Sequence, residues 1–84
     1  MKYRLLMDLE VTEFIQQLPK RVRDELFAHF HRIRDFPSQH ADYQENDEVG
    51  RQVQISIRAG FALHYWIDEA DCHVKLLAIR LADR

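Results

Sequence analysis

The C-terminal part of the chain constrains the fold most, because residues 50–83 predict three strands joined by very short connections. Polar and apolar residues alternate with a period of two over Gln52–Arg58, and the alternation resumes over Phe61–Asp68 after Ala59 and Gly60. Two residues between such runs are typical of a tight hairpin. A short acidic connection then leads into a final apolar run. This part of the sequence therefore predicts an antiparallel meander.

The N-terminal half predicts one strand and two helices. Residues 2–7 alternate as a short strand would, and from Leu9 onward apolar residues recur at the spacing of one helix face. Pro19 interrupts that spacing but suits the start of a new helix, so we place a second helix over Lys20–Asp35. A polar stretch at 40–50, which carries an acidic cluster, is interpreted as a loop.

Together these elements predict an α+β fold with the order βααβββ. Both helices carry an apolar stripe that needs the same core, so we expect a two-helix hairpin on one face of a mostly antiparallel sheet of about four strands. The residues expected to be buried together are Val11, Phe14, Leu18, Val22, Leu26, Phe30, Ile33, Val53, Ile55, Ile57, Leu63 and Tyr65.

Length and residue usage limit the possible functions. A chain of 84 residues suggests one domain over 1–84 and is too short to enclose a sizeable ligand cavity, so we expect no small-molecule cofactor. No metal-binding spacing occurs, since His29 and His31 point about 200° apart around a helix. The single Cys72 and the absence of a long apolar run favour a reducing, cytoplasmic location without membrane contact.

The net charge of −2 gives no overall attraction to nucleic acid. Four acidic residues lie close together, however, and the rest of the chain then holds 12 basic residues against 10 acidic ones. A modest basic face is therefore compatible with the sequence, as is an ordinary solvated surface. The four clustered acids are Asp42, Glu45, Asp47 and Glu48.

Three residues are candidates for chemistry. Arg58 ends the second predicted strand and Arg80 lies near the end of the last, and such positions can converge on one concave sheet face that binds phosphate. His64 lies on the strand face opposite the helices and is either a surface residue or a general acid or base. Trp66 shares that face, where a large aromatic side chain either packs or stacks on a base. Lys75 belongs to either face.

The sequence resembles the RelE/ParE toxin superfamily over nearly its whole length. The element order βααβββ carries the resemblance, together with three short segments. They are 14–19 (FIQQLP), followed by Arg21 and Arg23, 33–37 (IRDFP) and 57–65 (IRAGFALHY). Arg58, Gly60, Phe61 and Tyr65 follow the hairpin pattern of the family with a one-residue contraction, and Ala62 stands where the family commonly has a second arginine.

The resemblance implies the toxin of a type II toxin–antitoxin pair, of the kind also called plasmid stabilisation proteins, whose surest partner is a cognate antitoxin. RelE-like members cut messenger RNA on the ribosome, and ParE-like members inhibit DNA gyrase. The resemblance implies that Arg58 matches the family's hairpin arginine and that Arg80 matches the arginine of the family's last strand. In a shifted register, Arg84 would be that second match. Because no Tyr or His follows Arg80, His64 is the substitute candidate for proton transfer. A gyrase inhibitor or an inactive interaction module remains the alternative.

Overall fold

The computed structural model describes residues 2–82, which form two α-helices, one short 3₁₀ turn and five strands. In chain order the elements are β1 (Arg4–Met7), α1 (Leu9–Gln16), α2 (Lys20–Asp35), the 3₁₀ turn Pro37–Gln39, β2 (Tyr43–Asn46), β3 (Gln52–Arg58), β4 (Phe61–Asp68) and β5 (His73–Leu81). The α+β fold with its helical hairpin is confirmed, with five strands instead of about four.

The strands form one sheet in the order β1-β5-β4-β3-β2. β2 to β5 are antiparallel neighbours, whereas β1 pairs in parallel with the first half of β5, from Arg4 opposite His73 to Met7 opposite Leu76. The N-terminal strand thus finds its partner at the end of the chain. No helix within residues 2–82 is long and apolar enough to cross a membrane.

Both helices pack on the same side of the sheet, which we call the helix face. Pro19 is the N-cap of α2, as its fixed φ and missing N–H favour, and the chain leaves the helix at Phe36 and Pro37. The buried core between helices and sheet consists of Val11, Ile15, Leu26, Phe30, Ile33, Leu63, Tyr65, Val74 and Leu76. Fully burying each of these side chains contributes roughly 1.5–3 kcal/mol before entropy is counted.

The opposite side, which we call the open face, carries a second apolar cluster that the sequence analysis assigned wrongly. Val53 and Ile55 are buried there against Ala62 and Leu77, not in the core under the helices. Ile57 lies on the same face and is 41% exposed.

The reason is the hairpin turn between β3 and β4. Ala59 and Gly60 both have positive φ (57° and 83°), as a two-residue type I′ turn requires, and the turn pairs Arg58 with Phe61. Cross-strand partners lie on the same face of a sheet, and each one-residue shift exchanges the faces. The apolar residues of β3 are therefore out of phase with those of β4, so one set had to leave the helix core.

Two further expectations need correction. Phe14 is 38% exposed because it lies at the edge of the core, where its ring meets Phe61 edge-on with the centroids 5.7 Å apart. The supposed loop at 40–50 contains the edge strand β2, whose four residues are all exposed. Their polar sequence carries little strand propensity. Hydrogen bonding to β3 supplies the order, supported by a 2.9 Å bond from the Gln44 side chain to Gln54.

A β-bulge in β5 sets the direction of the side chains near its end. Tyr65 pairs with Leu76, but His64 pairs with Ala78, so Leu77 is an extra residue on β5. Val74 and Leu76 face the helices before the bulge, and Ile79 does so after it. Without the extra residue, Arg80 would fall on the helix face.

Two hydrogen bonds link polar groups that are buried under the helices. His29 is 3% exposed, and its Nε2 shares a 2.7 Å hydrogen bond with the Oγ of the buried Ser56. The hydroxyl of Tyr65 donates to the backbone oxygen of Pro37 at 2.6 Å, which ties β4 to the segment after α2. Burial, followed by the positive charge of Arg58, lowers the pKa of His29 from 6.5 to about 4.

We predict that folding stability falls as the pH is lowered from about 6.5 to about 4. In that window the unfolded chain binds a proton at His29 while the folded chain does not, so the free energy of unfolding decreases as the pH falls. The full loss amounts to roughly 3 kcal/mol. Urea unfolding at several pH values measures it. His29→Gln should reduce the step, whereas His31→Gln, on the exposed side of the same helix, should preserve it. An unchanged pH profile in His29→Gln would contradict the assignment.

Candidate functional site

His64 and Arg80 lie together in a depression on the open face. β4 and β5 position them, because Ala62 pairs with Arg80 and His64 pairs with Ala78 in adjacent rows of the ladder. The depression has a volume of about 260 Å³. It is lined by Glu45, Asn46, Asp47, Arg51, Val53, His64, Leu77, Ala78 and Arg80. The bulge at Leu77 creates the juxtaposition by turning Arg80 toward this face.

The imidazole of His64 is tuned toward its neutral form. Burial lowers its pKa below the ordinary 6.5, and the positive charge of Arg80 lowers it further, while the carboxylate of Glu45 opposes both effects. A neutral imidazole at pH 7 can accept a proton, and the neighbouring guanidinium can neutralise an anion. The pair thus has the two elements that a reaction at a phosphate would need.

Trp66 lies two residues after His64 on the same face of β4. The guanidinium carbon of Arg51 is 5.0 Å from the ring centroid of Trp66, and the ammonium nitrogen of Lys75 is 5.2 Å from it. Each cation is also held by a carboxylate, Arg51 by Asp47 at 2.6 Å and Lys75 by Asp68 at 3.2 Å. Lys75, which the sequence left open to either face, therefore belongs to the open face.

Arg58 lies on the other side of the sheet. Its partner Phe61 packs against the helix core, and the charge of Arg58 contributes to the lowered pKa of His29. Within residues 2–82 the buried Nε of Arg58 has no hydrogen-bond partner. The expected convergence of Arg58 and Arg80 on one concave face is thus not found, because the two-residue turn fixes Arg58 in register with Phe61. A functional role for Arg58 stays a prediction, and Arg84 lies outside the described residues.

Two residues of the depression were missed by sequence reasoning. Glu45 belongs to β2 and Arg51 to the turn that follows it, and the polar residues of this segment do not predict a strand. The side chain of Asp47 organises this turn by accepting hydrogen bonds from the backbone N–H of Val49 at 3.0 Å and of Arg51 at 2.8 Å. An Asp followed by Gly50 is a recognisable turn signal, but it does not reveal which strand the turn precedes.

A group of possible metal ligands occurs at the turn between β4 and β5. Asp68, Asp71 and His73 each bring one ligand atom within 4.8 Å of the others. Lys75 already neutralises Asp68, however, and the backbone N–H of Asp71 donates to the same carboxylate. We assign no metal to this group.

Comparison with known proteins identifies the fold. No protein-family model and no curated protein sequence matches the chain. Among solved structures, a chain of the archaeal RelE–RelB complex from Pyrococcus horikoshii OT3 superposes with a TM-score of 0.85 at 17% identity, covering 100% of this chain and 99% of that one. The RelBE2 toxin–antitoxin complex from Mycobacterium tuberculosis gives 0.81 at 17% identity, with 98% and 100% covered.

The isolated RelE toxin of E. coli makes the fold assignment unambiguous. It superposes with a TM-score of 0.73 at 17% identity, covering 98% of this chain and 86% of that chain. The chain therefore has the fold of the RelE toxins, as its sequence segments suggested. At such low identity the likeness concerns the backbone, so the chemistry of the open face has to be argued from this chain's own residues.

We predict opposite shifts of the His64 pKa in two variants. Arg80→Gln should raise it, because the positive charge that disfavours the imidazolium is removed, and Glu45→Gln should lower it further. NMR titration of the imidazole protons measures both, with His64→Gln identifying the resonance. Arg58→Gln is the matched control on the helix face and should leave the His64 pKa unchanged. Equal values in wild type and Arg80→Gln would show that the two groups do not interact.

Proposed function

We propose that this chain is the toxin of a type II toxin–antitoxin pair and that its surest partner is a cognate antitoxin protein. The proposal is supported by the RelE fold over 98–100% of the chain and by the pairing of His64 with Arg80 on the open face. The solved relatives include complexes of RelE with RelB and of RelBE2. The action is cytoplasmic under this proposal, because both candidate targets, the translating ribosome and gyrase, are cytoplasmic.

The reaction that the depression supports best is cleavage of messenger RNA. Neutral His64 takes the proton of a ribose 2′-hydroxyl, and the 2′-oxygen attacks the adjacent phosphorus. Arg80 neutralises the charge that develops on the phosphate oxygens. The O2′–P bond forms and the P–O5′ bond breaks, leaving a 2′,3′-cyclic phosphate and a 5′-oxygen that is protonated from solvent. Glu45 favours the imidazolium that His64 becomes.

A second function, a gyrase inhibitor or a non-catalytic interaction module, is favoured by the distribution of cations. Arg58 is on the other side of the sheet, and both Arg51 and Lys75 are bound to carboxylates. Two arginines line the depression within residues 2–82. In that part of the chain Arg51 has an ion pair, and Arg80 has none. A binding role needs fewer free cations than a phosphate-cleaving one does.

The toxin proposal predicts that expression of the chain alone slows bacterial growth and that co-expression with the adjacent open reading frame relieves it. Growth curves at matched protein levels measure both effects. The control is a His64→Gln, Arg80→Ala double variant, shown by circular dichroism to be folded. Normal growth at a verified level of folded wild-type protein would contradict an active toxin.

The ribonuclease proposal predicts that Arg80→Ala lowers the cleavage rate by roughly 10²- to 10³-fold, by analogy with the loss of one transition-state hydrogen-bond donor. His64→Gln should remove the acid limb of the pH–rate profile, which lies below pH 6.5 in the wild type because the pKa of His64 is lowered. Mapping of messenger fragments in a translation extract provides the assay.

Arg58→Ala tests whether both sides of the sheet take part. Because Arg58 lies on the helix face, we expect cleavage to persist in this variant, provided that its melting temperature equals that of wild type. No cleavage by wild type, with or without ribosomes, would favour the gyrase or interaction-module alternative.

A further inference from the structure

Trp66 lies on the open face as a half-buried indole with two cations over its ring. It pairs with Val53 on one side and Lys75 on the other, and Val53 belongs to the buried cluster with Ile55 and Leu77. Ile55 is 0% exposed, whereas Trp66 itself keeps part of its surface in solvent. An aromatic ring in this position is held in place and still accessible.

The positions of the two cations are fixed independently of any ligand. Arg51 is held by Asp47 and lies 5.0 Å from the Trp66 centroid, and Lys75 is held by Asp68 and lies 5.2 Å from it. Ion pairing to separate carboxylates holds both cations over the ring and balances their charge. The surroundings of Trp66 thus fix the orientation of an aromatic surface on the same strand face as His64.

We propose that Trp66 is a stacking platform for a base of single-stranded RNA, in the nucleotide next to the one whose 2′-hydroxyl meets His64. This inference rests on the proposed function and adds a specificity-determining residue to it. Open antiparallel sheets bind single-stranded RNA by stacking bases on aromatic side chains of the exposed face. His64 and Trp66 are two residues apart on one strand, a distance of roughly 6.6 Å, so they serve neighbouring positions of a bound strand.

The chain offers a direct reporter, because Trp66 is its single tryptophan. The probe is a six-nucleotide RNA with 2′-O-methyl groups, which cannot undergo attack by the 2′-oxygen. Its affinity is measured by fluorescence anisotropy of a labelled copy, and Trp66 emission is recorded with the unlabelled one. We expect saturable quenching of Trp66 with the same Kd that anisotropy gives. A matched oligomer with abasic sugars should bind more weakly and leave the emission unchanged.

Variants separate stacking from packing. Trp66→Leu should weaken binding about 5- to 150-fold, the loss expected for one stacked base, and Trp66→Phe should retain most of the affinity. Phe27→Leu is the matched control, since Phe27 is an exposed aromatic residue on α2, far from the open face, and its Kd should equal that of wild type. Melting curves check that the variants are folded. If Trp66→Leu fails to fold, the wild-type emission and Trp66→Phe still decide the matter.

The outcomes are separable from those of the proposed function. Binding without a change in Trp66 emission, equal Kd for Trp66→Leu and wild type, equal binding of the abasic oligomer, or no binding of the RNA would each overturn the stacking inference. If cleavage depends on His64 but not on Trp66, the stacking inference is overturned and the proposed function is unaffected. Quenching with base-dependent binding but no cleavage of natural RNA would support the stacking site and reject the ribonuclease.

Discussion

The two-residue turn at Ala59 and Gly60 decides which side of the sheet each residue of β3 reaches. Both residues adopt positive φ, which suits the right-handed twist of the flanking strands and fixes Arg58 opposite Phe61. Because side chains alternate with a period of two, this pairing sends Ser56 and Arg58 to the helices and Ile55 to the open face. The register of this hairpin therefore determines which residues of β3 join the core and which join the open face.

The turn thus places polar residues of β3 on the helix face and apolar residues of β3 on the open face, and each face accommodates them differently. On the helix face Ser56 is satisfied by α2 through the His29–Ser56 hydrogen bond, and Gln54 accepts a hydrogen bond from Gln44 of β2. A buried polar pair of this kind is costly to break, because either member alone would be left unsatisfied. On the open face the displaced apolar residues form a small cluster with Ala62 and Leu77, so the sheet surface is partly covered by its own side chains.

The candidate site results from a second local irregularity. The extra residue Leu77 in β5 reverses the alternation of that strand and brings Arg80 to the face of His64. Electrostatics then distinguish the cations of the open face, since Arg51 and Lys75 are held by carboxylates while Arg80 acts on the pKa of His64. The positive charge near His64 is thus more limited than the number of basic residues suggests.

The sequence by itself determined the element types, the limits of α2, the tight hairpin and the helices' common face, because periodicity and proline placement are local properties. It also placed His64 and Trp66 away from the helices. It could not determine the face of Arg58. The apolar residues of β3 and those of β4 cannot both face the helices in this register, and only packing against the helices selects which strand contributes to the core. Nor could it reveal β2 or the bulge at Leu77, because a polar edge strand and an extra residue are both defined by the neighbouring strand. The juxtaposition of His64 with Arg80 was therefore decided by the tertiary structure alone.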